Sequence, residues 1–554
     1  MHGNTATQSR PACLRRISAA ARRVAWWALP GALALSICGC TTLDEYVHNG
    51  FKVGPNYKRP PAPVAQRWID ADDVRVRSES EDDSHWWTVF NDPVLSDLVL
   101  TAYRQDLTLR EAGYRVLEAR AQLGIAVGEL FPQYQVMNGS AQSKGVSVQV
   151  ANRSATPQRW FGQWDYGFAL SWELDFWGRF RRAIESAEDT LDASVENYDD
   201  VLVTLIGDVA STYVQYRILE QQIAYARQNV KLQTEILGIA TARFKGGQTS
   251  ELDVNQAQSE LSATEALIPQ LEIALRQAND RLCVLLGIPP EDLRAKLGTA
   301  PIPTAPTSVA VGIPAELLRR RPDVRRAERQ AAAQCALIGV AEADFYPSIS
   351  LNTTFGWSSL ELKDLFAHGA FRGNVGPSFQ WDILNYGRIL NNVRKQDAAF
   401  QALVVSYQNT ALKANGEVED GLIQFLKSQE ETRYFMRSVE AEGKAVQEAI
   451  AQYKGGLVDF NRVAVISRDL VSRQEQLAQA QGDIALGLVK VYKALGGGWQ
   501  IRCDGGAVDG TMSVPAPVQA PAPAKGGPAP APVPGKPASR LLLEGQPLAP
   551  SWGQ

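Results

Sequence analysis

The sequence predicts a mainly helical chain that carries a small membrane-embedded β part and is built twice over. Three features point there: two very long proline-free segments, four short runs that alternate greasy and polar residues, and an internal repeat at an offset of 209 residues. Bulk properties agree. Hydrophobic content of 45% suits a folded protein, a net charge of −4 gives no basic footprint for nucleic acid, and no apolar run reaches the 18 residues of a spanning helix. The four histidines, His2, His48, His85 and His368, lie far apart, and no CxxC, HExxH, GxSxG or phosphate-loop pattern occurs. No enzyme activity, cofactor or metal is expected.

The N-terminus reads as a targeting segment. Arg15, Arg16, Arg22 and Arg23 precede the apolar stretch VAWWALPGALALSI, which ends in Cys38-Gly39-Cys40. Ile37-Cys38-Gly39-Cys40 resembles a bacterial lipobox, and Cys40 is the expected acylated residue because Cys38 follows the bulky Ile37. Residues 1–39 are then a lipoprotein signal peptide whose removal takes five arginines and no acids, lowering the net charge from −4 to near −9. Thr41 stands where an aspartate would resemble an inner-membrane retention signal, which favours sorting to the outer membrane. Residues 40–85 follow as a lipid-anchored extended segment. Cys283 and Cys335 are expected to be small buried hydrophobes, the alternative being a disulfide between them.

The first repeat covers residues 86–310 and the second 311–500. WELDFWGRFRRA (172–183) aligns with WDILNYGRILNN (381–392), and GDVASTYVQY (207–216) with GEVEDGLIQF (416–425). In each repeat a leading helix, 314–343 in the second, precedes a β-hairpin, at about 132–175 and 346–384. The strands show period-2 patterning: Trp164, Tyr166, Phe168, Leu170 and Trp172 share one face, with small or polar residues between them. Strands of this length with an aromatic outer face match a lipid-facing barrel. A long helix follows each hairpin, 179–245 and 388–454, with return helices at 250–286 and 458–495. From Leu191 through Tyr198, Leu205, Thr212 and Leu219 to Val230 the apolar residues of the first long helix step by four and three, a heptad seam. A helix of this length reaches about 100 Å and is too polar to cross a bilayer. Gly246-Gly247 and Gly455-Gly456 mark the reversals at the far tips, where glycine admits positive φ. Four strands cannot close a barrel, so the chain must oligomerise. Residues 503–554 form a Pro/Ala-rich tail read as disordered.

In this order, VGPNYKRPPAP (53–63), WWTVFNDPVLSDLV (86–99), LREAGYRVLEARAQLGIA (109–126), FKGGQTSELDVNQAQSEL (244–261), LLRRRPDVRRAERQAAAQCALIGVAEADFYPSISL (317–351) and LGGGW (495–499) resemble the TolC-like outer-membrane efflux factors, in their lipid-anchored OprM/NodT branch. The resemblance implies a homotrimer with a twelve-stranded barrel, four strands per protomer, continued by a periplasmic α-helical coiled-coil barrel. It implies an exit duct that docks through its helical tips, at Gly246, Gly247, Gly455 and Gly456, on a periplasmic adaptor and an inner-membrane pump of the RND or MFS type. The cargo would be small molecules such as drugs or toxic organic compounds. The RRRPDVRRAER stretch (319–329) is then structural helix in the equatorial region rather than a nucleic-acid patch. Two other classes stand beside this one, the outlet of a type I protein-secretion system and a lipid-anchored coiled-coil scaffold without a channel. The lipobox speaks against the first and the four aromatic-faced strands against the second.

The resemblance also implies a periplasmic gate near the second tip. At the 209 offset Asp253 and Arg462 are equivalent, and Asp253–Arg462 contacts, with Tyr453, Asn461 and Arg468, are expected to hold the tip closed. The expected result of Arg462→Ala is a higher resting conductance. The chain departs from the family pattern here: Val465 replaces the usual aspartate, and Asn461 and Ala464 the usual leucines, while Arg468 is kept.

Overall fold

The computed structural model describes residues 43–79, 82–147, 149 and 158–503. The signal segment, Cys40 and all of the Pro/Ala-rich tail but Cys503 lie outside the described residues. Up to Arg502 the chain forms one compact unit. Its principal elements are α1 (Pro93–Gln105), α2 (Leu107–Gly128), β1 (Tyr134–Gly145), β2 (Trp160–Leu174), α3 (Arg179–Lys245), α4 (Glu251–Leu285), α5 (Pro322–Ala343), β3 (Ser348–Ser359), β4 (Phe371–Gln380), α6 (Arg388–Lys454) and α7 (Phe460–Leu495).

The duplication is visible element by element. The two long helices, α3 and α6, each have 67 residues, and each is entered from a glycine with left-handed backbone, Gly178 at φ 82° and Gly387 at φ 80°. At each far tip the first glycine has ordinary backbone, and the second takes the positive φ, Gly247 at 68° and Gly456 at 77°. A side chain there would strain the reversal. Asp459 caps α7 by accepting the backbone N–H of Arg462.

The four longer strands form one antiparallel sheet in the order β1-β2-β3-β4. Tyr134 pairs with Ser171, Trp172 with Leu351, and Leu351 with Pro377. β1 and β4 are the edges, and neither edge is paired among the described residues.

The first long helix departs from a simple two-helix seam. Between Leu202 and Leu219 it is buried on almost every side, with Leu202, Val209, Tyr213, Val214 and Ile218 all at 0% exposure. The cause is its neighbours: α1, α2, α4, α5 and α7 all pack against α3. Gly482 of α7 crosses there so closely that a Cβ would lie 2.0 Å from Ile218 Cδ1. Trp86 and Trp87 belong to the same core, and Trp86 stacks on Tyr492 of α7 at 5.4 Å.

One expected helix is corrected. The helix expected over 314–343 breaks at Arg321, whose backbone is extended, so a short turn (Leu317–Arg320) is followed by α5 starting at Pro322. A residue before proline is pushed out of the helical region, and proline is best tolerated at the first helical turn. Cys283 and Cys335 are buried and separate as expected, and the alternative disulfide between them is not formed. Cys283 lies against the backbone of Glu291, while Cys335 points to the Pro55 carbonyl. Burial pushes the Cys335 thiol up to about 11. We therefore expect a maleimide at neutral pH to label Cys503, which is exposed, while Cys283 and Cys335 react only after denaturation without reductant. Mass spectrometry of the labelled chain checks this.

Five of the six arginines of 319–329 are paired internally, and Arg319 is exposed. Arg320 pairs with Asp83, Arg321 with Asp323 and Glu417, Arg325 with Glu196, Arg326 with Asp200, and Arg329 with Asp189. Arg325, Arg326 and Arg329 clamp α5 onto the first long helix and Arg321 ties its start to the second, so these charges are spent inside the fold.

Candidate functional site

At the far end of the helices, the tips of the two hairpins lie side by side. A small apolar cluster supports them, with Ile236 and Ala240 of α3, Ala257 of α4, Ile450 of α6, and Phe460 and Val463 of α7. Tyr453, one turn before the second Gly-Gly, sits on this cluster at 2% exposure with its ring edge-on to Phe460 at 5.5 Å. From there its hydroxyl reaches across to the first repeat and donates to Asp253 Oδ2 at 3.0 Å.

Two further groups fix this contact. Thr249 Oγ1 donates to the same Asp253 oxygen. The Arg243 guanidinium lies over the Tyr453 ring, 4.4 Å from its centre, and donates to the Tyr453 backbone carbonyl. Such a cation on an aromatic face contributes about 0.5–2 kcal/mol. Burial first, and then the adjacent Asp253 carboxylate, push the Tyr453 hydroxyl up to about 12, so it remains a donor through the physiological range.

The other expected gate residues are placed as follows. Asn461 accepts from Gln256 Nε2 at 3.3 Å. Arg468 pairs with Glu260, with Nε 3.1 Å from Oε2. Both contacts join α7 to α4 and so tie the two repeats together. The Asp253–Arg462 contact is not made within one protomer. Arg462 falls in the first turn of α7, its side chain is exposed, and it forms no ion pair among the described residues. Asp253 turns instead toward Tyr453. Gly246, Gly247, Gly455 and Gly456 form the exposed reversals. Arg243, Thr249, Gln256, Glu260 and Phe460 escaped sequence reasoning, because at the 209 offset none of them faces a complementary residue.

Three comparisons bear on what such tips and such a sheet belong to. The family model described as outer membrane efflux protein matches residues 98–288 and again 313–497, one match per repeat. Nodulation protein T of Rhizobium leguminosarum bv. viciae is 30% identical over 453 residues, covering 81% of this chain and 90% of that protein. The pyoverdine export outer membrane protein OpmQ of Pseudomonas putida is 31% identical over 430 residues, covering 76% and 90%. Among solved structures, the outer-membrane channel OprN is similar at 32% identity with a TM-score of 0.76, over 81% of this chain and 99% of that one.

Proposed function

The chain belongs to the outer membrane efflux protein family, and from that membership we propose that it is the outer-membrane exit duct of a tripartite pump for small molecules. The observation that carries this reading is the open four-stranded sheet. Both edges are unpaired in one protomer, and lipid tolerates no open edge. Three copies, giving twelve strands, close the barrel, and the α3–α4 and α6–α7 hairpins of the same three copies continue it as a periplasmic tube. The duct is passive; an inner-membrane pump of the RND or MFS type would supply the energy through a periplasmic adaptor.

Cys40 is the proposed lipid anchor, and the Gly246-Gly247 and Gly455-Gly456 reversals are the proposed docking points for the adaptor. Asp253, Tyr453, Asn461 and Arg468 are the proposed closing contacts, with Arg462 left exposed to meet a neighbouring protomer. OpmQ is named for export of pyoverdine; for the present chain a small organic compound is the proposed cargo, since selection falls to the pump.

Native mass spectrometry of the detergent-extracted mature protein tests the reading. Three copies, each starting at Cys40 and carrying a lipid mass, are expected. A lipidated monomer would remove the barrel and the tube together.

A further inference from the structure

We infer that a single ion pair, Asp165–Arg372, sets the charge selectivity of the barrel lumen. The inference rests on the duct reading above and adds a residue-level determinant to it. Residues directly opposed across an antiparallel ladder share a face, so the register divides the sheet cleanly. On one face Tyr166 opposes Trp357 and Phe168 opposes Phe355, with ring centres 6.3 and 5.2 Å apart. That aromatic face meets lipid, and the other lines the lumen.

The lumen face is built from small neutral groups. Asn138, Ser171, Asn352, Asn374 and Ser378 lie on it, and Ser171 donates to Asn352 Oδ1 at 2.7 Å while Asn352 Nδ2 donates to Ser378 Oγ at 2.6 Å. Within the four strands only Lys144, Asp165, Glu173 and Arg372 are charged. Lys144, Glu173 and Arg372 each stand one residue from the end of their strands, and Asp165 is the strand charge set in mid-strand among the neutral lining. Arg372 is the strand charge that pairs with it.

All four strands cooperate in holding this pair. Arg372 of β4 reaches Asp165 Oδ1 of β2 at 3.2 Å, and Gln163 of β2 donates to Asp165 Oδ2 at 2.9 Å. Ser140 of β1 is 3.5 Å from the same oxygen, and Gln163 also reaches Ser358 of β3 at 3.4 Å. The Asp165 side chain is 18% exposed and that of Arg372 63%. The carboxylate is therefore tucked into the wall while the guanidinium projects from it. Threefold symmetry repeats this as a ring of three compensated charges, and rings of charge on a pore wall set ion selectivity.

Opposite shifts follow from removing each partner. Arg372→Gln uncovers three carboxylates and raises the cation-to-anion permeability ratio roughly twofold or more, while Asp165→Asn uncovers three guanidinium groups and lowers it by a similar factor. The double variant returns to the native ratio, which separates charge compensation from a disturbed barrel. The measurement is the reversal potential of open channels in planar bilayers across a KCl gradient kept near 0.1 M, where the Debye length is about 10 Å. Unchanged potentials in both single variants, or shifts in the same direction, overturn the inference while native conductance leaves the duct standing. An absence of conductance both in the native protein and in Tyr453→Phe, whose tips are expected to open, overturns the duct and the inference with it.

Discussion

Arg217→Ala is expected to destabilise the folded protein by about 3 kcal/mol, because it removes one partner of a buried charge network and leaves the others unmet. Arg217 is 1% exposed on α3. It pairs with Glu220 at 2.6 Å, donates to the carbonyls of Leu297 and Gly298, and donates to the Tyr213 hydroxyl at 3.1 Å. Tyr213 passes the chain on to Asp92 at 2.7 Å, and Asp92 caps α1 through the backbone N–H groups of Val94 and Leu95. One guanidinium thus joins the long helix, the segment that follows α4 and the start of α1. The lower end of the range for broken buried pairs applies, since Glu220 keeps 19% exposure and can rehydrate. The midpoint of thermal unfolding in detergent should fall sharply for Arg217→Ala and less for Arg217→Lys, which keeps the charge but loses the planar fork. A loss no larger than the roughly 0.5 kcal/mol typical of surface substitutions would show that the network carries no stability.

Tyr453→Phe is expected to open the tips. It deletes the hydroxyl that bridges to Asp253 and leaves the ring packing on Phe460 in place. Losing one such hydrogen bond costs about 1 kcal/mol, so three protomers lose about 3 kcal/mol of closure. Every 1.4 kcal/mol is tenfold, which makes the rise in open probability on the order of a hundredfold. Single-channel recording reads it directly, and an unchanged resting conductance would remove Tyr453 from the gate. The pH dependence follows from the same bond. A raised hydroxyl pKa means the contact is fully present below the ordinary tyrosine value of about 10, and it is lost only as pH climbs through about 12. Closure through this contact should therefore be flat across neutral and mildly alkaline pH.

The long elements were legible in the sequence because their signals are repeated many times. Residues 179–245 and 388–454 lack proline, carry the stepping apolar positions, and fold as helices with those bounds. The strands were legible because period-2 alternation with large aromatics survives the loss of any one position. What escaped depends on single contacts. A helix expected from 314 runs through Pro322, although the residue before a proline is a boundary signal. Asp253 and Arg462 are equivalent along the chain, but sequence equivalence in a duplicated protein places residues at matching heights, not in contact; the partner of Asp253 was Tyr453, from a different turn of the second repeat. Arg217 carries no signal in the repeat, because at the 209 offset the second repeat has Leu426. Arg372 was one exposed arginine among many until the register put it beside Asp165.

The two unpaired edges of the sheet have a genetic consequence. A barrel closed by three chains has no place for a protomer whose edge strand cannot pair, and each assembled ring needs all three to be sound. In a cell making equal amounts of native chain and a variant with a spoiled edge, such as proline introduced into β1, random assembly leaves only about one ring in eight wholly native. The variant allele should thus be dominant, poisoning rings that its healthy partner would otherwise complete.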